Sequence, residues 1–317
     1  MSSVPGVTDN KTLLEKADLA LANLTTDGGL LQPAQAQRFM RIMINQSKMM
    51  GEATVRPMKS HKELIEKIKF GSRILRAGSE ATALSAGDRA KPDLSKTELD
   101  AKLFKAEVRL DNEVLEDSIE KGQLKQTIME LMSERIALDM DDVLVNGDTT
   151  SGNPFFAQLD GVLKQASTNV VDAGITTTNR SIFKNMLRTL PSEFLRNKPK
   201  MRFYTSVDSL IDYTDSFGDR ATPLGDTASM QNVAVSYSGI PITDIPVFPE
   251  NLGAGTNETN MLLVDPKNIH VGIWRQIRIE TDKLISEGVI IIVVTMRFDV
   301  KFAHEPAVVK AIKVKVG

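Results

Sequence analysis

Four groups of residues have types and spacings that could do chemistry. Gly147 and Gly152 stand as in the G-x-x-x-x-G loop that cradles phosphates. Asn153 occupies the place of that loop's lysine, and the segment before it reads as a helix rather than a strand, so the phosphate reading fails. Asp139, Asp141, Asp142 and Asp148 could hold a cation. On a helix, however, Asp139 and Asp142 share a face that Asp141 does not, and Leu144 stands where a calcium loop needs glycine. A solvated acidic helix end is the better reading. Ser181 and Lys184 match S-x-x-K, but the companion S-D-N and K-T-G words are missing. His61, His270 and His304 lie far apart with no ligand spacing. No G-x-S-x-G, H-E-x-x-H or G-x-G-x-x-G occurs. No catalytic, cofactor-binding or metal-ligating residue is therefore assigned, and the chain is not expected to be an enzyme. A hydrolase or metal-dependent enzyme built from distant residues is the remote alternative.

Composition narrows the classes further. The 317 residues suffice for one large or two modest cores. Charged residues make up 25% and the net charge is −2, so there is no basic bias toward nucleic acid. The absence of cysteine excludes a disulfide framework and a thiolate metal site. The first residues, MSSVPGVTDNK, lack the basic-then-apolar pattern of a secretion signal. The longest purely apolar run, Val289 to Val294, is far short of the ~20 residues of a spanning helix.

The dominant element is a long helix from Gln123 to about Asn146. Ile128, Met132, Ile136, Met140 and Leu144 recur every fourth residue, with Leu124 and Leu131 filling the gaps, which predicts one apolar stripe opposite a charged face. Asn146-Gly147 ends it, since both residues tolerate the left-handed conformation. Ahead of it run two amphipathic helices, Lys11 to Leu24 and one begun by Pro33. Two strands follow, Lys67 to Ala77 and Leu99 to Leu110, the second with Leu103, Ala106, Val108 and Leu110 partly alternating. Between them Gly78 to Lys96 has almost no large apolar residue and should project. After the helix come a helix from Ile182 to Leu195 kinked or restarted at Pro191, a strand Met201 to Val207, a short helix from Asp208, and a loop Thr214 to Met230. Val233 to Val247 holds a strand, and Met261 to Asp265 reads as a buried one. Trp274 to Glu280 alternates, and Val289 to Asp299 is a β-branched run, as in a strand covered on both faces.

The order of these features carries a resemblance. An acidic run NEVLEDS (112–118), a long helix ending in NGD (146–148), a polar turn through Gly152 and Pro154, then LDGVL (159–163) follow one another. Later come SGIP (238–241), a strand with Arg297-Phe298-Asp299, and Pro306-Ala307. This succession resembles the major capsid proteins of tailed double-stranded-DNA phages, the Hong Kong 97 type of shell fold, from about Gly28 onward.

The resemblance implies an α+β, Hong Kong 97-like capsid fold. Residues 1–62 would be an N-terminal arm and 63–107 an extended two-stranded loop. Residues 108–165 would be a peripheral domain with the spine helix, 166–280 an axial α/β domain, and 281–317 closing strands of the peripheral domain. The function implied is a shell protein that self-assembles into hexamers and pentamers of an icosahedral phage head enclosing DNA. Its place would be the virion capsid, with assembly in the host cytoplasm. A separate scaffolding protein and a portal are the implied partners, a decoration protein is left open, packaged DNA is met without sequence preference, and no membrane is involved. Too few residues precede Gly28 for a scaffolding segment, so the mature subunit is expected to keep its arm. Some relatives weld neighbours by a Lys–Asn bond. Lys91 and Lys96 could serve, but Val289 to Val294 offers no Asn, so a non-covalent shell is expected. An encapsulin-type shell around cargo protein is the alternative within the structural class.

Overall fold

A computed structural model describes residues 48–69, 91–111, 124–218 and 235–317, with isolated positions between 74 and 89. The helix Lys11 to Leu24, the helix begun by Pro33 up to residue 47, about half of the projecting stretch, the acidic run NEVLEDS and most of the 214–230 loop lie outside the described residues.

The chain begins with α1 (Lys48–Glu52), β1 (Thr54–Met58), β2 (Lys62–Lys69), β3 (Asp93–Asp100) and β4 (Lys102–Asp111). The long helix α2 (Leu124–Asn146) and a short α3 (Val162–Gln165) follow. Then come β5 (Val170–Thr177), α4 (Arg180–Thr189), β6 (Arg202–Thr205), α5 (Val207–Gly218), β7 (Ser236–Tyr237), β8 (Ile240–Asp244) and β9 (Glu258–Val264). The chain closes with β10 (Ile269–Leu284), β11 (Val289–Phe302) and β12 (Val309–Lys315). Three sheets result, with strand orders β1-β10-β11-β4, β5-β12-β9-β6-β8-β7 and β2-β3. Among the described residues two compact units separate: 103–137 with Arg275–Arg297, and 48–102 with Leu138–Trp274 and Phe298–Gly317.

Within the first unit, β4 alternates half-buried and exposed residues along its length. The half-buried set is Phe104, Ala106, Val108 and Leu110, while Leu103 is exposed, so Phe104 takes the place expected of Leu103. Met132 and Ile136 of α2 are buried as the stripe requires, but Leu131 is exposed. In β11 the expectation of burial on both faces fails over 289–297. Ile292, Val294 and Met296 are buried, and the residues between them only half so.

The second unit holds the main core. β9 is buried along almost its whole length and lies between two strands, β12 and β6. Val171, Phe183, Met186, Phe203, Met261, Leu263, Val309 and Ala311 form its apolar cluster. The Phe183 ring meets Phe203 edge-on at 4.9 Å and Tyr213 at 4.8 Å, an arrangement aromatic rings favour. Helix α4 starts where the Asn179 side chain accepts from the backbone N–H groups of Ser181 and Ile182. It stops at Thr189, because a residue before proline is driven out of the helical region, and helical turns restart at Phe194. The helix begun near Asp208 extends to Gly218, five residues into the stretch read as loop.

The last strand lies in a different sheet from β11. β12 pairs parallel with β5 and antiparallel with β9. It thus joins the six-stranded sheet, while β11 pairs in the four-stranded one. Its register shifts between Ile312 and Val314, where Lys313 faces Gly174 and Ile175 in left-handed conformations.

Candidate assembly surface

The element that leaves the core is the antiparallel hairpin of β2 and β3, paired from Lys62 opposite Asp100 to Lys69 opposite Asp93. Both strands lie off the expected bounds. The outgoing one starts five residues early, and the returning one begins inside the stretch read as polar, breaking from β4 at the fully buried Ala101. Only period-two alternation marks such a strand, and Asp93-Leu94-Ser95-Lys96-Thr97-Glu98 alternates too weakly to show it.

Ile65 and Leu99 pack with Met58, Ala101 and Trp274 at the hairpin root. The backbone N–H of Ala101 donates to the His61 carbonyl at 3.1 Å. His61 Nδ1 lies 3.0 Å from Asp100 Oδ1, and its ring meets Trp274 edge-on at 5.3 Å. Lys102 Nζ sits 2.6 Å from Asp100 Oδ2, and this hydrogen bond holds the Asp100 carboxyl below the usual carboxylate range. The backbone N–H of Asp100 is taken by Asp299, whose carboxyl burial pushes up. Gly272 leaves room here for the Met58 and Leu99 side chains: a Cβ would come within 2.6 Å of Met58 Sδ and 3.0 Å of Leu99.

Pairing and alternation divide the hairpin into two faces. Glu63, Ile65 and Lys67 share one face with Thr97 and Leu99, which turns toward the protein. Leu64, Glu66 and Ile68 share the other with Leu94, Lys96 and Glu98. There Leu64, Ile68 and Leu94 are exposed at 50%, 71% and 66%. Ion pairs Lys62–Glu98 at 2.6 Å and Lys96–Glu66 at 3.0 Å flank them. The Glu98 bond raises the Lys62 ammonium, and burial lowers Lys67. A strip of apolar side chains set between matched charges suits contact with another protein surface.

A second feature fixes the end of α2. Met140, Asp141, Val143, Leu144 and Val145 are all buried, so the last turns are covered on most sides, not along one stripe. Gly147 and Gly161 then meet backbone to backbone: the Gly161 N–H donates to the Gly147 carbonyl at 2.8 Å. A Cβ on Gly147 would lie 2.5 Å from the Leu159 carbonyl oxygen, and one on Gly161 2.5 Å from that of Val145. The words NGD and LDG are thus two sides of one contact.

The chemistry-type residues found other work. Asp148 accepts from the Thr150 hydroxyl and N–H and from Lys164, which holds its carboxyl at about 2. Asp142 accepts from Asn146 at 2.7 Å, and Asp141 is buried. The Ser181 hydroxyl donates to Asn179 at the start of α4. Lys96 is taken by Glu66, and Lys91 is exposed. Among the described residues no three His, Cys, Asp or Glu side chains are grouped to hold a metal. Among them, too, no helix is long and apolar enough to cross a membrane. Sequence reasoning gave Asp299 and His61 no role, because each acts through a partner brought close only by the fold.

Comparison with known proteins supplies the family. Residues 27–313 match the model described as the Phage capsid family. The chain is 39% identical over 310 residues to the "Putative prophage capsid protein YqbE" of Bacillus subtilis (strain 168), covering 96% of this chain and 99% of that protein. The fold is similar to a chain of the "Satellite phage P4 procapsid including size determination (Sid) protein", with TM-score 0.67, 15% identity, and coverage of 98% and 99%. It is less similar to the holo-SrpI encapsulin of Synechococcus elongatus PCC 7942, with TM-score 0.56, 10% identity, and coverage of 83% and 85%. The long helix, the two-faced hairpin and the mixed sheets are the α+β architecture of the Hong Kong 97-like shell fold, and this chain belongs to the phage capsid family.

Proposed function

We propose that this capsid protein assembles into hexamers and pentamers of an icosahedral head enclosing double-stranded DNA, and that it catalyses no reaction. One observation carries this reading: the β2–β3 hairpin buries one face in its own subunit and leaves Leu64, Ile68 and Leu94 uncovered on the other. Covering one such side chain is worth about 1.5–3 kcal/mol, and closure of a many-copy lattice multiplies small contacts. We assign the hairpin as the extended loop, α2 as the spine of the peripheral domain, and the six-stranded sheet as the centre of the axial domain. A separate scaffolding protein, a portal and a decoration protein are the partners of such a shell. DNA is met without sequence preference, and assembly takes place in the host cytoplasm.

Electron microscopy and sizing of the purified full-length chain test this. Closed particles are expected; a monomer or dimer that forms none at any concentration overturns the reading. An encapsulin-type shell is the second reading, favoured by the fold likeness to SrpI. Nuclease-protected DNA inside particles from the native source supports the head, and cargo protein in its place supports the encapsulin.

A further inference from the structure

On the sheet face beneath the hairpin root, no acid among the described residues pairs with Arg56 or His270. β1 and β10 run parallel, with Thr54 opposite His270 and Arg56 opposite Gly272. Arg56 and His270 therefore project from the same face, one step apart. Met58 and Trp274 continue that face and pack against Ile65 and Leu99 of the hairpin. Lys67 follows Ile65 on the same side of β2, and its ammonium donates to the Thr97 hydroxyl at 2.7 Å.

Two observations mark an unmet demand for an acceptor among the described residues. His270 is only 7% exposed, yet its Nδ1 has no hydrogen-bond partner among the described residues. Arg56 makes no ion pair or side-chain hydrogen bond among them either. The charged groups that act on His270 are Arg56, Lys67 and His304, and no carboxylate is among them. Buried ring nitrogens are rarely left unpaired, and a guanidinium half-covered by protein normally finds an acid.

We propose that Arg56, Lys67 and His270 form a binding site for one oxyanion, either a phosphate ion or a carboxylate side chain from a second copy of this chain. The guanidinium supplies two parallel donors that match the edge of either group. The imidazole, in the tautomer with hydrogen on Nδ1, supplies a third, and the ammonium a second charge. With His270 so deeply buried, the site admits a single group and not the row of phosphates on a duplex.

Equilibrium dialysis of radiolabelled inorganic phosphate against the unassembled full-length subunit, at fixed ionic strength, tests the site. Saturable binding of one phosphate per chain is expected, at least tenfold weaker in Arg56→Gln and unchanged in Lys184→Gln, a control on the exposed face of α4. Phosphate should also raise the titration midpoint of His270, followed by NMR, by about 1 pH unit. Absent or non-saturable binding, or binding that Arg56→Gln leaves unchanged, overturns the proposal. The His270 midpoint of the unsubstituted chain decides even if the variant fails to fold: no movement with phosphate sinks the idea. Assembled particles identify the source. Particles that still take up phosphate point to the free ion; particles that refuse it while subunits accept it point to a neighbour's carboxylate. The subunit measurement stands whether or not shells form, so its outcome is independent of the shell reading.

Discussion

Asp299 Oδ2 accepts the backbone N–H of Asp100 at 2.8 Å, joining the closing strand to the foot of a hairpin 199 residues earlier. Asp299 is 3% exposed and also takes the N–H of its neighbour Val300. Asp299→Ala should destabilise the subunit by about 1–3 kcal/mol, the cost of leaving a buried donor unsatisfied. Asp299→Asn keeps an acceptor for only one of the two N–H groups and should recover part of that loss. Denaturant unfolding of the three proteins checks this; equal stability of all three would show the contact to be incidental.

The Gly147–Gly161 contact predicts unusual intolerance to a single methyl group. In both Gly147→Ala and Gly161→Ala the added Cβ meets backbone, which cannot swing aside as a side chain can. A loss of ~3 kcal/mol is expected for each, at the upper end of overpacking costs. Thermal unfolding reads it, with Gly152→Ala, where a Cβ meets nothing within 4 Å, as the neutral comparison.

Ile136 lies on the buried stripe of α2 at 8% exposure. Ile136→Asp places a charge there at a cost of several kcal/mol. The product should be insoluble or degraded, and a soluble, assembly-competent variant would refute the helix register. Leu131→Asp, on the exposed side, should fold normally.

The uncovered face of the hairpin separates folding from assembly. Ile68 and Leu94 stand opposite each other and are both exposed. Ile68→Asp and Leu94→Asp should alter subunit stability by less than about 0.5 kcal/mol, as at most surface sites. Particle yield, counted by electron microscopy, should fall at least tenfold. Particles at normal yield would mean that this face touches no neighbour.

Acid should weaken the subunit through His270. Burial and the neighbouring cations hold its imidazole down at about 4, so the folded chain keeps it neutral where the unfolded chain protonates it. The unfolded state then binds more protons, and stability falls as pH drops from about 6.5 to 4. His270→Asn should flatten that part of the stability–pH curve. Unfolding free energies in buffers free of phosphate and carboxylate check it.

Much of this architecture is legible in the sequence, and the rest has physical reasons for being hidden. The bounds of α2 were clear because its fourfold apolar recurrence runs for six turns and ends in Asn146-Gly147. β9 was clear because Met261 to Val264 is apolar without interruption. The returning strand of the hairpin was obscure because its uncovered face is half charge, which reads as loop. The sheet of β12 was hidden because IKVKV alternates equally well for any sheet, and only pairing with β5 and β9 decides which one. The root of the hairpin was invisible: His61, Asp100, His270 and Asp299 are spread over most of the chain, and no spacing rule connects them.

The position of β12 bears on the order of events in the cell. It separates β5 from β9, so the six-stranded sheet stays in two pieces until residues 309–315 have been made. No nascent chain shorter than that can close its main core, however early its hairpin and long helix form. A chain cut before residue 309 therefore lacks the strand that joins β5 to β9.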